Sequence, residues 1–255
     1  MLILVSPAKK LDYDTPPTTK KSTQPGFLDQ SQILIDRLRQ YSALDLAELM
    51  KLSMNLAELN FERYAQWQQE VTPATGKQCI LAFKGDVYQG LDAETFSAKD
   101  LDYAQKHLRI LSGLYGLLRP LDLMRPYRLE MGTRLPTERG KNLYEFWGDR
   151  ITEAVNAQLK KQGDDVLINL ASNEYFKSVK PKQVNGRIIT PQFKERKNGQ
   201  YKMIGIFAKK ARGLLSRYIL LNRLDDPEQI KAFDLEDYAF NPDLSKGDNW
   251  VFTRG

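Results

Sequence analysis

Cysteine and histidine are almost absent from this sequence of 255 residues, which contains one of each, Cys79 and His107. A single cysteine cannot form an internal disulfide, so a disulfide-stabilised scaffold is excluded. A metal centre with several histidine and cysteine ligands is excluded for the same reason, and we expect neither a metal nor a cofactor. Cys79 lies in an apolar run and is expected to be buried and unreactive, which argues against a thiol peroxidase.

Long apolar runs are also missing, which bears on targeting and on membranes. No stretch approaches the roughly 20 apolar residues that a membrane-spanning helix needs. The short apolar start, residues 2–6, precedes the basic pair Lys9-Lys10, whereas a signal peptide places its basic residues before a longer apolar stretch. We therefore expect a buried first strand, no membrane partner and a cytoplasmic protein. The lack of paired cysteines agrees with a reducing compartment.

Strong catalytic motifs are lacking too. The sequence contains neither the Gly-x-x-x-x-Gly-Lys-Ser/Thr loop of nucleotide-binding proteins nor the Gly-x-Ser-x-Gly turn of hydrolases. Material for a core is present, because 42% of the residues are hydrophobic and the 27% that are charged accompany abundant Leu, Ile, Phe and Tyr. This composition excludes a disordered chain. Because no break in composition suggests a linker, we predict one domain over residues 1–255.

Hydrophobic patterns predict strands that alternate with helices. The predicted strands cover residues 2–6, 78–83, 109–112, 166–170 and 249–253. The predicted helices cover residues 28–41, 43–52, 55–70, 98–107, 142–161 and 207–222, and Ser42 and Ser97 are predicted N-caps. Asn198-Gly199, between residues 187–195 and 200–206, is the strongest hairpin signal. A hairpin among alternating strands and helices predicts an α+β (mixed α/β) fold, with a mixed β-sheet surrounded by helices.

The positive charge is concentrated in one part of the chain. The net charge of +6 arises from 38 basic and 32 acidic residues. Residues 176–217 hold twelve basic residues and one acidic residue, a net charge of +11, whereas residues 218–255 carry −4 and residues 1–175 carry −1. Such a segment attracts phosphate backbones and makes binding salt-sensitive, although a solvated hairpin without a ligand is the alternative. The residues predicted to contact DNA in its helix are Lys209, Lys210, Arg212 and Arg217.

Gly213 lies inside this predicted helix, where glycine costs about 1 kcal/mol relative to alanine. Its presence indicates the close approach of another backbone or of a ligand. Tight packing against a second helix is the simpler interpretation, and the sequence favours it.

Residues 108–120 contain a glycine turn in which Gly113 and Gly116 bracket a Leu-Tyr pair. A helix is predicted before the turn and a short helix could begin at Leu117, which is the outline of a helix-hairpin-helix element. Backbone N–H groups of that element hold a DNA phosphate without reading sequence. The same residues could instead form a nucleotide or polyanion pocket, or only a tight loop. The candidate DNA contacts here are Gly113, Tyr115, Gly116, Arg119, Arg125 and Arg128.

Polar side chains cluster where predicted strands end, a common location for a site in sheet proteins. Strand 166–170 runs into a polar group that includes Ser172, and polar groups also follow strands 2–6 and 78–83. If these strand ends converge, their acidic and basic groups could act as acid and base. Helix caps and ordinary salt bridges are the alternative. The catalytic candidates are Glu174, Asn173, Asp86 and Lys9, and Lys9, Lys10 and Lys84 are also candidate DNA contacts.

Six short blocks resemble the YaaA family of bacterial peroxide stress resistance proteins, in order and along the whole chain. The blocks are LILVSPAKK at 2–10, FKGDVY at 83–88, SGLYGLLRPLD at 112–122, NLYEFW at 142–147, NLASNEY at 169–175 and KKARG at 209–213. The resemblance implies a cytosolic protein of the hydrogen peroxide response that limits free intracellular iron. It also implies DNA binding through a basic surface with a helix-hairpin-helix-like element, and it implies no assignable reaction.

Three functions follow as hypotheses. The first is a DNA-binding stress protein without base-sequence specificity, and the second is an enzyme that acts on a nucleotide or nucleic-acid substrate with strand-end carboxylates. The third, direct iron sequestration, would depend on carboxylates and tyrosines alone, and it ranks last because the chain lacks a Glu-x-x-His pair for a di-iron site.

Overall fold

The computed structural model describes all residues from Met1 to Gly255 and contains a mixed sheet of eight strands with two small two-stranded sheets. The strands are β1 Leu2–Val5, β2 Lys10–Leu11, β3 Lys77–Gln78, β4 Phe83–Lys84, β5 Leu108–Ser112, β6 Gly116–Leu118, β7 Leu123–Met124, β8 Val166–Leu170, β9 Arg187–Lys197, β10 Gln200–Lys202, β11 Ala239–Phe240 and β12 Asn249–Arg254.

Helices surround this sheet. The α-helices are α1 Leu28–Leu38, α2 Ala43–Met50, α3 Met54–Gln66, α4 Cys79–Ala82, α5 Asp86–Leu91, α6 Ala98–His107, α7 Leu143–Trp147, α8 Arg150–Gln162, α9 Asn173–Phe176 and α10 Gly205–Leu221. Short 3₁₀ turns cover Ala93–Thr95, Pro181–Gln183, Pro227–Ala232, Leu235–Asp237 and Pro242–Leu244. None of the helices is long and apolar enough to cross a bilayer.

The main sheet has the strand order β11-β12-β9-β8-β1-β5-β6. Strand β1 pairs in parallel with β5 and β8, and β9 pairs in parallel with β8 and β12. The outer strands β6 and β11 and the hairpin strand β10 pair antiparallel with their neighbours. Every residue of β1, β5 and β8 is buried, because helices and loops cover both faces of these strands. The predicted mixed sheet with surrounding helices is confirmed.

Several local predictions are confirmed by the local chemistry on which they depend. The side chains of Ser42 and Ser97 each accept a hydrogen bond from the third helical N–H. The carboxylates of Asp45 and Asp100 in turn accept hydrogen bonds from the backbone N–H groups of these serines, so α2 and α6 begin with capping boxes. Asn198 and Gly199 have φ values of 53° and 75°, the positive values that a tight hairpin turn between β9 and β10 requires.

The apolar run at residues 78–83 is not one strand, as predicted, but β3, the single turn of α4, and β4. All four residues of α4 are buried, and the N–H groups of Cys79 and Ile80 donate to the carbonyls of Asp122 and Pro120. A fully buried apolar run has no polar face, so its periodicity cannot distinguish a strand from a helical turn.

The helix predicted over residues 142–161 is two helices, α7 and α8. Gly148 separates them with a φ of 55°, a left-handed conformation that glycine adopts without strain. Asn142 caps α7, since its side chain accepts a hydrogen bond from the N–H of Glu145 at 3.0 Å.

Helix α10 crosses α5 with the two backbones in direct contact. A Cβ atom on Gly213 would overlap the Val87 carbonyl oxygen and would lie 2.7 Å from the N atom of Leu91. A Cβ atom on Gly90 would overlap the Lys210 carbonyl oxygen and would lie 2.8 Å from the N atom of Leu214. The interpretation of Gly213 as a tight packing residue is therefore confirmed, and α10 has a fixed position on α5.

Candidate functional site

A cleft of about 490 Å³ opens where β1 and β8 end. Since β1 and β8 are parallel neighbours, their carboxyl ends meet at one edge of the sheet, where ligand sites commonly form. The other walls come from the turn between β4 and α5, the segment before α7, and helix α10. The charged residues that line the cleft are Lys9, Lys10, Lys84, Asp86, Glu130, Glu174, Lys209 and Arg212.

Hydroxyl groups join the two strand ends at the base of the cleft. The N–H of Ser172 donates to Ser6 Oγ at 2.8 Å, and the hydroxyl oxygens of the two serines are 3.3 Å apart. The Tyr88 hydroxyl donates to the Ser6 carbonyl at 3.1 Å. These bonds hold the loop after β1 against α5 and α9, so the side chains of the loop start from a fixed backbone.

Three carboxylates line the cleft. Glu130 Oε2 is 3.0 Å from Lys9 Nζ, and Glu130 Oε1 accepts a hydrogen bond from Arg128 at 3.1 Å. Glu174 Oε1 accepts a hydrogen bond from the N–H of Gly132 at 2.9 Å. Burial, followed by the nearby charges of Glu174 and Glu130, raises the pKa of Tyr175. Asp86 lies in the first turn of α5 and forms no ion pair.

The cations of the cleft divide into paired and unpaired ones. Lys84 forms ion pairs with Glu94 and, at 3.3 Å, with Asp12, and Lys9 pairs with Glu130. Lys10, Lys209 and Arg212 form no ion pair and no side-chain hydrogen bond. Burial lowers the pKa of Arg212, and no carboxylate offsets this effect. The unpaired cations favour an anionic ligand.

A second cavity, of about 580 Å³, shares Glu130 and Glu174 with the cleft. Lys51, Arg134 and Glu48 also line it. The two cavities are therefore neighbours with two carboxylates in common.

Two of the basic residues predicted as DNA contacts on α10 bind other parts of the protein. Lys210 Nζ is 2.5 Å from Glu236 Oε1 in the acidic C-terminal region. Arg217 donates to the Asp92 carbonyl and to Thr95 Oγ1, both at 2.9 Å. Both residues fasten α10 to its neighbours, and neither lines the cleft.

The glycine turn does not have the helix-hairpin-helix outline, because a β-hairpin of β5 and β6 occupies residues 108–118. Leu117 lies in β6 and does not begin a helix. The turn is buried, with Tyr115 fully inaccessible to solvent. The Trp147 indole donates to the Gly113 carbonyl at 3.0 Å, and a Cβ atom on Gly116 would lie 2.7 Å from the Trp147 ring. Gly113, Tyr115 and Gly116 are thus packing residues, which agrees with the tight-loop alternative.

The three arginines after the glycine turn also have partners inside the protein. Arg119 pairs with the buried Asp122 at 2.9 Å and donates to the Gln24 carbonyl at 2.7 Å. Arg125 donates to Gln68 and to the Glu70 carbonyl, and Arg128 donates to Glu130. The structure does not place them in the cleft.

Asn173 does not line the cleft, although its neighbour Glu174 does. It faces a separate open cavity of about 580 Å³, together with Lys177, Lys180 and Lys182. The other catalytic candidates, Glu174, Asp86 and Lys9, line the cleft together.

The sequence does not indicate several residues of the cleft. Glu130 lies in an irregular segment between β7 and α7, where the sequence has no periodicity. Ser6, Tyr88 and Tyr175 lie within the conspicuous motifs, but their residue types do not indicate a role. The position of Ser6 directly after a buried strand was the one signal that could have indicated it.

The single histidine and the single cysteine lie away from the cleft. His107 ends α6, stacks on Tyr103 at 4.0 Å and contacts the Met1 carbonyl at 2.9 Å, and burial lowers its pKa. Cys79 is fully buried, and burial raises the pKa of its thiol well above the ordinary value. No three His, Cys, Asp or Glu side chains lie close enough together to hold a metal ion.

Comparison with known proteins relates this chain to one family. A family model described as "Peroxide stress protein YaaA" matches residues 1–244. A protein of Colwellia psychrerythraea strain 34H, named "UPF0246 protein", is 59% identical to this chain over 254 residues, which are 100% of this chain and 99% of the relative.

Proposed function

This chain belongs to the peroxide stress protein YaaA family, and we propose that it binds DNA without reading base sequence and helps to lower free intracellular iron. One observation carries the DNA-binding part. Lys10, Lys209 and Arg212 line one cleft without internal carboxylate partners. Basic side chains that have no internal partner are free to replace the counterions of a DNA backbone.

The lack of base specificity follows from the kind of group that the cleft offers. Lysine ammonium groups act as point charges, and contacts to phosphates position a protein on DNA without reporting its sequence. Lys10 and Lys209 are exposed. Their long side chains can follow a backbone of any sequence.

Replacing Lys10 and Lys209 together by glutamine is expected to make duplex binding less sensitive to salt. Each lost phosphate contact removes about 0.9 from the slope of log affinity against log salt concentration. The double variant should therefore have a slope about two units less negative than the native protein has, with weaker binding to every duplex sequence tested. Fluorescence anisotropy with two duplexes of unrelated sequence, over a series of salt concentrations, measures both quantities.

The control is the Lys160→Gln, Lys161→Gln double variant. These exposed lysines end α8, shortly before β8 begins, whereas the cleft opens where β8 ends. This variant loses the same charge and should keep the native slope. Equal slopes for the native protein and the cleft variant would rule out the cleft as the DNA interface, and an affinity that does not change with salt would rule out backbone binding.

The effect on free iron is the second part of the proposal. It is supported by the resemblance to the family and by no contact in the structure. Free iron reacts with peroxide, and the products damage DNA. A protein that binds DNA and lowers the level of free iron would therefore limit this damage. Measuring free iron by electron paramagnetic resonance in cells with and without the protein, after peroxide treatment, tests this part. Equal iron levels would rule it out.

An enzyme acting on a nucleotide or nucleic-acid substrate is the second candidate function. The observation that favours it is that Glu174, Glu130 and Asp86 line one cleft together with basic residues. A substrate whose phosphates are bound by these basic residues would have other bonds near the carboxylates, where general acid and base catalysis is possible.

Glu174→Gln is expected to abolish protection against peroxide while leaving duplex binding intact, if the carboxylate takes part in catalysis. Glutamine keeps the oxygen that accepts the hydrogen bond from Gly132, so the local structure should persist. Survival of a deletion strain that carries the variant gene measures protection. The matched control is Glu153→Gln on an exposed position of α8. Native protection by Glu174→Gln would contradict the enzymatic function.

A further inference from the structure

Arg212 differs from Arg217, the other arginine of α10, in that its side chain has no partner. Arg217 in the next turns of α10 donates to Leu91, Asp92 and Thr95, whereas the Arg212 guanidinium forms no hydrogen bond and no ion pair. Arg212 is nevertheless half-buried, and burial lowers its pKa. A guanidinium that is partly desolvated without a counterion has a free-energy cost, which an anionic ligand would offset.

The backbone that carries Arg212 cannot shift away from the cleft. The adjacent Gly213 packs directly on the Val87 carbonyl, so α10 is fixed on α5 at this point. Val87 and Tyr88, in the same part of α5, line the cleft together with Arg212. The backbone from which the guanidinium extends is therefore fixed at the wall of the cleft, which preorganises the start of this side chain for binding.

The charges near Arg212 favour an anion over a cation. Lys10 and Lys209 are the other unpaired cations of the cleft, and Asp86 is the one carboxylate there without an ion pair or a backbone partner. Glu130 is neutralised by Lys9 and Arg128, and Glu174 accepts a hydrogen bond from Gly132. Three unpaired cations against Asp86 and Glu174, the two carboxylates of the cleft without an ion pair, still leave a positive surplus.

The size and the lining of the cleft indicate which anion fits. Its volume of about 490 Å³ lies in the range of pockets that hold a single small molecule. Pro7, Ala8 and Val87 provide apolar surface, and the phenol rings of Tyr88 and Tyr175 lie beside them. A phosphate alone would leave this surface uncovered, whereas a nucleoside attached to the phosphate would cover it.

We propose that the cleft is a binding pocket for a single nucleoside monophosphate, whose phosphate is bound by the Arg212 guanidinium and whose base and sugar lie against the apolar wall. This proposal rests on the proposed function, because it names the unit of nucleic acid that the same cleft takes. Lys10 and Lys209 then bind the outer oxygens of the phosphate or the next phosphate of a strand.

Isothermal titration of the native full-length protein with dAMP, inorganic phosphate and deoxyadenosine tests the proposal. We expect binding of dAMP that is at least about tenfold tighter than that of either part alone, since both the charge and the apolar surface contribute. Absence of dAMP binding would overturn the proposal. Binding of inorganic phosphate as tight as that of dAMP would also overturn it, because the nucleoside would then add nothing.

The Arg212→Met variant tests the residue, since methionine keeps an unbranched apolar side chain and removes the charge. It should weaken dAMP binding about tenfold or more, whereas Arg196→Met, on the exposed hairpin outside the cleft, should leave it unchanged. A melting temperature that stays level or rises by about 2 °C is expected for Arg212→Met, because a desolvated charge is lost. If the variant binds dAMP as tightly as the native protein does, with or without a fall in melting temperature, Arg212 has only a structural role and the proposal is overturned.

The Lys209→Gln variant provides a second test in case Arg212→Met folds poorly. It should weaken dAMP binding by a smaller factor, about threefold, because Lys209 is exposed and contributes a screened charge. Unchanged dAMP binding in this variant would count against the proposal. Duplex binding measured in parallel separates the two proposals, since loss of dAMP binding with native duplex binding leaves the DNA-binding function standing.

Discussion

Replacing Gly213 by alanine is expected to lower the free energy of unfolding by about 3 kcal/mol, at the upper end of the range for overpacked sites. The added methyl group would overlap the Val87 carbonyl oxygen and crowd the N atom of Leu91. Both atoms belong to the backbone of α5 and cannot rotate away, so the two helices must separate along their whole contact. Urea unfolding followed by circular dichroism measures the change.

Gly205→Ala is the matched control, because Gly205 begins the same helix and a Cβ atom there would meet no atom within 4 Å. This variant should be as stable as the native protein or more stable by up to about 1 kcal/mol, since alanine favours the helix. A Gly213→Ala variant as stable as Gly205→Ala would show that the helices do not touch as the structure has them.

Replacing Trp147 by alanine is expected to cost about 4 kcal/mol, within the range for a fully buried large aromatic residue. The indole has no exposed surface, packs edge-to-face on Phe27 and Phe146, and donates a hydrogen bond to the Gly113 carbonyl. Its removal leaves a cavity beneath the glycine turn and an unpaired buried carbonyl. The shift of the urea midpoint at constant slope measures the cost.

Trp147→Phe serves as the control, because phenylalanine fills much of the space and loses only the hydrogen bond and part of the ring. About half of the effect of alanine is expected from it. The variant should also keep native duplex binding, since the glycine turn is buried away from the cleft. If the folded Trp147→Phe variant loses most of its duplex binding, the glycine turn is part of the DNA interface after all.

The elements that the sequence predicted well depend on interactions between near neighbours. The serines at 42 and 97 cap their helices through residues three positions later, and the Asn198-Gly199 turn needs only its own backbone conformation. Strand 166–170 is predicted with its observed bounds, because its apolar run ends at polar residues. Such signals can be read without knowing the rest of the fold.

The sequence is less informative where a distant residue determines the local role. The glycine turn beside arginines has the composition of a phosphate-binding loop, yet Trp147 occupies the space beside Gly116. Lys210 looks like a free surface cation in the sequence, yet it forms an ion pair with Glu236 of the C-terminal region. For these residues the sequence shows the charge, and only the fold shows whether the charge is already paired.

The cleft could be predicted in part from the sequence. The polar groups after strands could be recognised from the sequence, and the parallel pairing of β1 with β8 brings two of them together. The contribution of α10 could not be predicted, because it depends on the crossing with α5 through Gly90 and Gly213. The lack of a partner for Arg212 is likewise visible only in three dimensions.

The strand order has a consequence for how the chain folds during its synthesis. Strand β1 leaves the ribosome first but lies between β5 and β8, so one of its edges stays open until residue 112 has emerged and the other until residue 170 has emerged. Strand β12, which ends at residue 254, is inserted between β9 and β11 and is among the last segments to appear. Contacts between such distant segments form slowly, and open strand edges bind other chains. The nascent protein is therefore expected to depend on chaperones until translation ends, and chains cut short before β12 should aggregate.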